Sequence, residues 1–151
     1  MKRLLACGVF ALLCGCVHIQ VDEAMVRDET PDCSSPPNIA NAGQISSAPV
    51  ASRPLDNAPG KTLTSVRLTV PPGAKSNAHQ HSGTVFVYVL RGAVCSQITG
   101  DTNMKPYKAG ESFFEPPGSQ HLNFTNPGIT TAEVLVTFIA DTGAMLTTPV
   151  R

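Results

Sequence analysis

The sequence predicts an all-β fold, and three observations lead to this prediction. The 151 residues include 12 glycines and 13 prolines, which form turns more readily than helices. Short runs rich in valine, threonine and aromatic residues alternate with these turn residues along the chain. No segment repeats apolar residues at the three- and four-residue spacing of a helix. A chain of this length is expected to hold one domain with one hydrophobic core.

The first clear strand is predicted at residues 63–70. Val66, Leu68 and Val70 share one face of it, because alternate side chains of a strand point the same way. Proline and glycine at 71–73 end this strand. Further strands are predicted at 84–91, 93–99, 106–108, 112–115, 120–125 and 131–139. The structured domain is therefore expected to be a barrel or a sandwich that covers residues 45–151.

Residues 85–90 are apolar on both faces of their predicted strand. A strand with one face in water alternates apolar and polar residues, so this strand is predicted to be covered on both sides. The interior of the domain would cover one side. An N-terminal segment or a second subunit would cover the other, and the second of these alternatives predicts a homodimer.

The N-terminus has the pattern of an export signal. Lys2 and Arg3 precede a short apolar run at 4–13, which predicts a signal peptide at residues 1–15. The apolar run is shorter than the roughly 20 residues of a transmembrane helix. The sequence Leu13-Cys14-Gly15-Cys16 resembles a bacterial lipobox, which implies lipidation of Cys16 and a membrane partner through the lipid. The expected location is the cell envelope, at the periplasmic face of the outer membrane in a Gram-negative organism; ordinary secretion is the alternative.

Residues 16–44 are predicted to form a flexible, disordered tether between the membrane and the domain. They are polar, at first acidic and then rich in proline, serine, alanine and asparagine, and they show no apolar periodicity. Cys33 lies in this tether and Cys95 in the domain. Outside the cytoplasm these two residues can form a disulfide, or they can remain free thiols, and the sequence leaves both alternatives open.

The charge of the chain excludes one class of partner. Lysine plus arginine number 11 and aspartate plus glutamate also number 11, and no basic patch appears along the sequence. Nucleic acid is therefore not expected as a partner.

Three of the four histidines fall in two short clusters within the predicted domain. His79 and His81 are two positions apart, so both side chains can project from the same face of a strand. His121 follows a rigid Pro-Pro-Gly turn at 116–118, which can bring it beside the first pair. Three imidazoles suit a divalent transition metal, and zinc, iron, nickel, copper and manganese all remain open at this point. The competing interpretation is a polar surface strand with His121 elsewhere.

The two clusters resemble the two motifs of the cupin family. The first motif matches Gly73-x5-His79-x-His81-x3-[Glu]-x6-Gly92, and the second matches Gly110-x5-Pro116-x-Gly118-x2-His121-x3-[Asn]. The resemblance covers about residues 60–140 and implies a jelly-roll β-barrel with a metal ion near its mouth. It identifies His79, His81 and His121 as the expected metal ligands.

The sequence departs from the family pattern at two positions. The usual glutamate ligand falls on Val85 and the usual asparagine on Thr125. A valine cannot bind metal, so the resemblance implies a three-histidine site of the kind that holds iron in some cupin-type dioxygenases. Iron is therefore the metal expected first, with zinc, nickel, copper or manganese as alternatives. Glu115 is the nearest replacement carboxylate, and it is a candidate catalytic residue, either as a hydrogen-bond partner of a ligand or as a general base. A surface glutamate at a strand end is the alternative for this residue.

The leading interpretation is thus a metal-binding cupin barrel in the cell envelope, with a three-histidine, non-haem dioxygenase-type site that acts on a small molecule. A second interpretation is a non-catalytic lipoprotein that binds a small ligand or a metal. A third is a metal-free barrel whose histidines bind an organic ligand directly.

Overall fold

The computed structural model describes residues 31–34, 39–40 and 42–150. Ten strands and no helix occur within these residues: β1 (Ser46–Pro54), β2 (Lys61–Val70), β3 (His79–His81), β4 (Thr84–Arg91), β5 (Ala93–Ile98), β6 (Lys105–Lys108), β7 (Ser112–Glu115), β8 (Gln120–Thr125), β9 (Ala132–Asp141) and β10 (Thr147–Pro149). The predicted signal peptide, Cys16 and most of the predicted tether lie outside the described residues. Nowhere in the described ranges is there a helix with the length and apolar character needed to cross a membrane.

The strands form two antiparallel five-stranded sheets. One has the order β1-β2-β9-β4-β7 and the other the order β10-β3-β8-β5-β6. The sheets enclose a core made mainly of valine and phenylalanine from β2, β4, β7 and β9 on one side and from β5 and β8 on the other. This arrangement confirms the predicted all-β jelly-roll fold.

All seven strands predicted outright are present, and His79 and His81 lie on β3 as expected. The largest boundary differences are at β2, which begins at Lys61 rather than at residue 63, and at β9, which ends at Asp141 rather than at residue 139. Two further strands, β1 and β10, were not predicted. Both lie at the edge of a sheet, where proline is tolerated because its missing N–H faces away from the partner strand.

The strand β4 is covered on one face only within the described part of the chain. Val85, Val87 and Val89 point into the core and are buried. Tyr88 and Leu90, on the opposite face, are 37% and 44% exposed. The N-terminal strand pairs with the edge of β2 instead of covering this face. Of the two covers expected from the sequence, the described N-terminal residues are therefore not one, and the homodimer stays a prediction.

The sequence leaves open whether the two cysteines of the described chain are bonded, and the structure shows that they form a disulfide. Cys33 and Cys95 are bonded, with their Cα atoms 5.7 Å apart. Cys95 is fully buried on β5, and Cys33 is also buried. Farther along the same segment, Ile39 packs against Gly73, where an added Cβ would lie 3.1 Å from the isoleucine Cβ. The described residues that precede β1 thus lie against the domain.

Asn126 holds the loop between β8 and β9. It is 1% exposed, and its side-chain amide donates to the carbonyl oxygens of Val70 and Thr130, both at 2.8 Å. Its side-chain oxygen accepts a hydrogen bond from the backbone N–H of Gly128. Position 125, where the motif usually has an asparagine, is a threonine here. The next residue, Asn126, is a buried asparagine with a structural role.

Asn126→Ala is expected to lower the free energy of unfolding by about 3 kcal/mol, because it removes the three hydrogen bonds that this buried side chain makes to backbone groups. Asn123→Ala is the matched control, since Asn123 is exposed and makes one side-chain hydrogen bond, to Gln97. We expect its effect to stay within about 0.5 kcal/mol. Urea unfolding of both variants checks this, and equal effects would contradict the assigned role.

Candidate metal centre

Two neighbouring strands bring the three histidines together. The alternation of β3 places His79 and His81 on one face, while Gln80 between them is exposed. In the pairing of β3 with β8, His79 lies directly opposite His121. One potential ligand atom from each of the three rings lies within 4.8 Å of the others. The predicted histidine cluster is therefore present, and it could hold one metal ion.

The rings of His79 and His81 are held by the groups behind them. The Nδ1 atom of His79 lies 2.7 Å from the carbonyl oxygen of Asn77. The Nδ1 atom of His81 lies 3.0 Å from the carbonyl oxygen of Leu146 and 3.0 Å from the hydroxyl of Thr147. A carbonyl oxygen only accepts, so Nδ1 donates in both rings and Nε2 keeps its lone pair. Such partners fix the tautomer and orientation of metal-ligating histidines.

His121 is more deeply buried, at 4% exposure, and both of its ring nitrogens have partners. Its Nε2 atom lies 3.0 Å from the Ser96 hydroxyl on β5. Its Nδ1 atom lies 3.1 Å from Oε1 of Glu115 on β7. The ring thus contacts β5 of one sheet and β7 of the other, and these contacts fix its orientation.

Burial lowers the pKa of His81 below its usual range, although the carbonyl of Leu146 and the carboxylate of Glu115 act in the opposite direction. The imidazole is consequently neutral near pH 7. A metal ligand has to be deprotonated, so this environment prepares His81 to bind a cation.

The histidines line a cavity of about 750 Å³. This volume lies within the usual range for small-molecule sites, about 300–1,000 Å³. Much of the wall is apolar, with side chains from both sheets: Val66, Leu68, Val87, Phe124, Val136 and Phe138. The three histidines and Glu115 form a polar region, and residues 42–45, just before β1, also line the cavity. The site combines a polar corner that could hold a metal ion with an apolar chamber.

Glu115 lines the cavity beside the three histidines, as its interpretation as a replacement carboxylate predicts. It is 2% exposed, so the surface alternative is wrong. It is the direct cross-strand partner of Val85, the residue at the family's usual carboxylate position. Thr125, at the usual asparagine position, donates its hydroxyl hydrogen to the carbonyl oxygen of Ala74.

The sequence did not single out Ser96, Leu146 or Thr147, or the carbonyl of Asn77. The backbone oxygens of Asn77 and Leu146 act as acceptors, and any residue type supplies such an oxygen, so no sequence signal exists for them. Ser96 would be recognisable only from the pairing of β5 with β8, which depends on the register of distant segments.

The sequence profile of the cupin domain matches residues 66–138. No curated protein matches the chain. Among solved structures, a cupin superfamily protein from Desulfitobacterium hafniense is similar, with 16% identity and a TM-score of 0.51, over 68% of this chain and 84% of that one. The oxalate decarboxylase of Bacillus subtilis gives 22% identity and a TM-score of 0.51, and the match spans 58% of this chain and 24% of the enzyme.

The dimethylsulfoniopropionate (DMSP) lyase DddQ of Ruegeria pomeroyi gives 20% identity and a TM-score of 0.52, over 58% of this chain and 42% of the lyase. The chain thus spans less than half of either enzyme, and identities this low show a common fold alone. The two sequence motifs, the jelly-roll sheets, the clustered histidines and the family profile agree with one another. Residues 66–138 form a cupin domain.

Proposed function

We propose that this protein is a metal-dependent enzyme that acts on a small molecule in its cavity. The observation that carries the proposal is the convergence of three histidine side chains on one point beside an apolar chamber of about 750 Å³. His79, His81 and His121 would hold a divalent transition metal, with iron expected first. When bound, such an ion supplies Lewis-acid chemistry and, if it is iron, oxidation chemistry of the dioxygenase type.

The residues of the chain fit this role. Two of the imidazoles are fixed by backbone carbonyls, so they would hold an ion without rearrangement. The apolar wall would bind the body of a substrate and exclude water. Ser76 also lines the cavity, and within the described chain its buried hydroxyl has no hydrogen-bond partner. It is therefore suited to bind a polar group of the substrate, since a buried hydroxyl without a partner is unfavourable.

The proposed location is the cell envelope, with the lipid on Cys16 anchoring the protein to the membrane. The sequence of residues 1–16 supports this proposal through its export and lipobox patterns. The Cys33–Cys95 disulfide also supports it, because disulfides persist in oxidising compartments outside the cytoplasm.

The experiment that tests the proposal is a substrate screen with the full chain, loaded with one equivalent of Fe²⁺, Mn²⁺, Ni²⁺ or Zn²⁺. We expect metal-dependent turnover of one of the classes diketone, catechol, flavonol or thiol, and none by the metal-free protein. His79→Ala is the control variant that should match the metal-free protein. Stable metal binding without turnover in any class would contradict the enzyme proposal and favour the non-catalytic binding protein.

A further inference from the structure

We propose that Glu115 is a fourth ligand to the metal ion, replacing from a neighbouring strand the carboxylate that the first motif lacks at Val85. This inference rests on the proposed metal binding by the three histidines and assigns one more residue to the same site. Val85 on β4 and Glu115 on β7 are direct cross-strand partners. Side chains at paired positions share a face of the sheet, with their Cβ atoms about 4.5–5.5 Å apart.

The carboxylate of Glu115 is buried and incompletely satisfied. Its Oε2 atom has no hydrogen-bond partner within the described chain, although the residue is 2% exposed. A buried carboxylate oxygen without a partner destabilises the folded protein, and more so if it is charged. A cation bound between this oxygen and the histidines would remove that cost.

The distances between these groups are those of atoms that share one ion. Oε1 of Glu115 lies 3.1 Å from Nδ1 of His121, and Oε2 lies 3.6 Å from Nε2 of His81. Ligand atoms at about 2.0–2.2 Å from one metal ion are separated from each other by roughly 3 to 3.6 Å. The longer contact is not a hydrogen bond, since His81 donates from Nδ1 to the Leu146 carbonyl and Nε2 carries no hydrogen.

The nitrogen by which His121 would bind the ion follows from its surroundings. Its Nε2 atom faces Ser96, which is buried and is not among the residues that line the cavity. Its Nδ1 atom faces Glu115, which does line the cavity. Nδ1 is therefore the ligand atom of His121, and Nε2 donates to the serine hydroxyl.

A carboxylate that only orients a ligating histidine lies behind the ring, at the nitrogen that does not bind the metal. In this site all three of those positions are already filled: by the Asn77 carbonyl for His79, by the Leu146 carbonyl for His81, and by the Ser96 hydroxyl for His121. Glu115 lies on the opposite side, where the ligand nitrogens converge. Its position is that of a ligand rather than of an orienting partner.

The fourth ligand changes the metal preference that three imidazoles alone would give. An anionic oxygen removes one positive charge from the bound ion and adds a hard donor, so binding of Mn²⁺ and Fe²⁺ gains relative to that of Zn²⁺ and Cu²⁺. An ion with six ligands would keep two positions for water or substrate instead of three.

The test measures the affinity of the full chain for Mn²⁺ and Zn²⁺ by competition with a chelator, and counts the waters on bound Mn²⁺ by proton relaxation. Glu115→Gln has nearly the same shape but is a poorer ligand, and we expect it to weaken Mn²⁺ binding by more than about 100-fold, beyond the usual effect of an orienting partner. Its Zn²⁺ affinity should fall less. Bound Mn²⁺ should carry two waters in the wild type and three in the variant.

Two further variants test whether the carboxylate can act from the motif position and whether a carboxylate outside the site matters. Val85→Glu combined with Glu115→Val returns the carboxylate to the motif position, and it should recover most of the Mn²⁺ affinity lost in Glu115→Gln. Glu133→Gln is the control carboxylate, since Glu133 pairs with Arg91 away from the site and its loss should leave the affinity unchanged.

The inference fails if Glu115→Gln binds Mn²⁺ within about 100-fold of the wild type, because loss of an orienting partner alone accounts for an effect of that size. It also fails if bound Mn²⁺ carries three waters in the wild type, a result that does not depend on whether any variant folds. Wild-type protein that binds neither ion would overturn both this inference and the proposed function. Metal binding that is unaffected by Glu115→Gln would overturn this inference alone.

Discussion

His121→Ala is expected to weaken binding of a transition-metal ion by about 1,000-fold or more, because it removes one of three converging imidazoles. Loss of a partner that only orients a ligand costs about 10- to 100-fold, and loss of a ligand itself should exceed this. His121 would also be the ligand that joins the two strands of the site, since it lies opposite His79 across the β3–β8 pair. The measurement is a chelator-competition titration with Fe²⁺ or Zn²⁺.

Gln80→Ala is the matched control for this substitution. Gln80 lies between the two other histidines on β3, but its side chain is exposed and points away from them. It should leave the metal affinity within about 2-fold and the stability nearly unchanged. Equal affinities for the two variants would show that the ion binds elsewhere, and the assigned site would be wrong.

Cutting the Cys33–Cys95 disulfide is expected to lower the free energy of unfolding by about 4 kcal/mol. The bond joins residues 62 positions apart. In the chain-entropy model, a loop of this length in the unfolded chain gives a stabilisation between about 3 and 4.7 kcal/mol. The measurement is urea unfolding of Cys33→Ser beside the wild type, both under oxidising conditions. Cys33 is the better site for substitution, because Cys95 is fully buried in the core.

A reducing agent provides the control for this second prediction. It should lower the stability of the wild type to that of Cys33→Ser and leave the variant itself unaffected. Two free thiols per wild-type chain under oxidising conditions, together with equal stabilities, would contradict the disulfide.

The fold and the three histidines could be predicted because their signals are local. The spacing of His79 and His81 places both on one face of a strand whatever strand lies beside it. The turn at 116–118 similarly marks the approach to His121 from a few adjacent residues. Period-two alternation of apolar residues is likewise a local signal, and it predicts the strand β2.

Two edge strands and the disulfide could not be predicted, because each depends on which segments lie beside it in the folded protein. The strands β1 and β10 contain Pro49, Pro54 and Pro149, which argue against a strand unless the segment is known to lie at a sheet edge. The disulfide likewise depends on where the segment around Cys33 lies in space, which its polar composition does not show.

The sequence alone does not decide between the two alternatives for Glu115, because its role also depends on which strand lies beside it. Its sequence context shows only a glutamate at the end of a strand. The pairing of Val85 with Glu115 joins residues 30 positions apart, and it alone shows that a carboxylate occupies the space beside the missing ligand. Cross-strand register of this kind is a property of the folded sheet.

The measurement that tests the central claim most directly is the metal content of the wild-type full chain, determined by elemental analysis after purification without affinity-tag nickel. The account predicts about one transition-metal ion per chain, with iron the expected element, retained through gel filtration. Absence of any stably bound metal, even after reconstitution with each candidate ion, would contradict the account and leave the cavity as a binding site for an organic ligand.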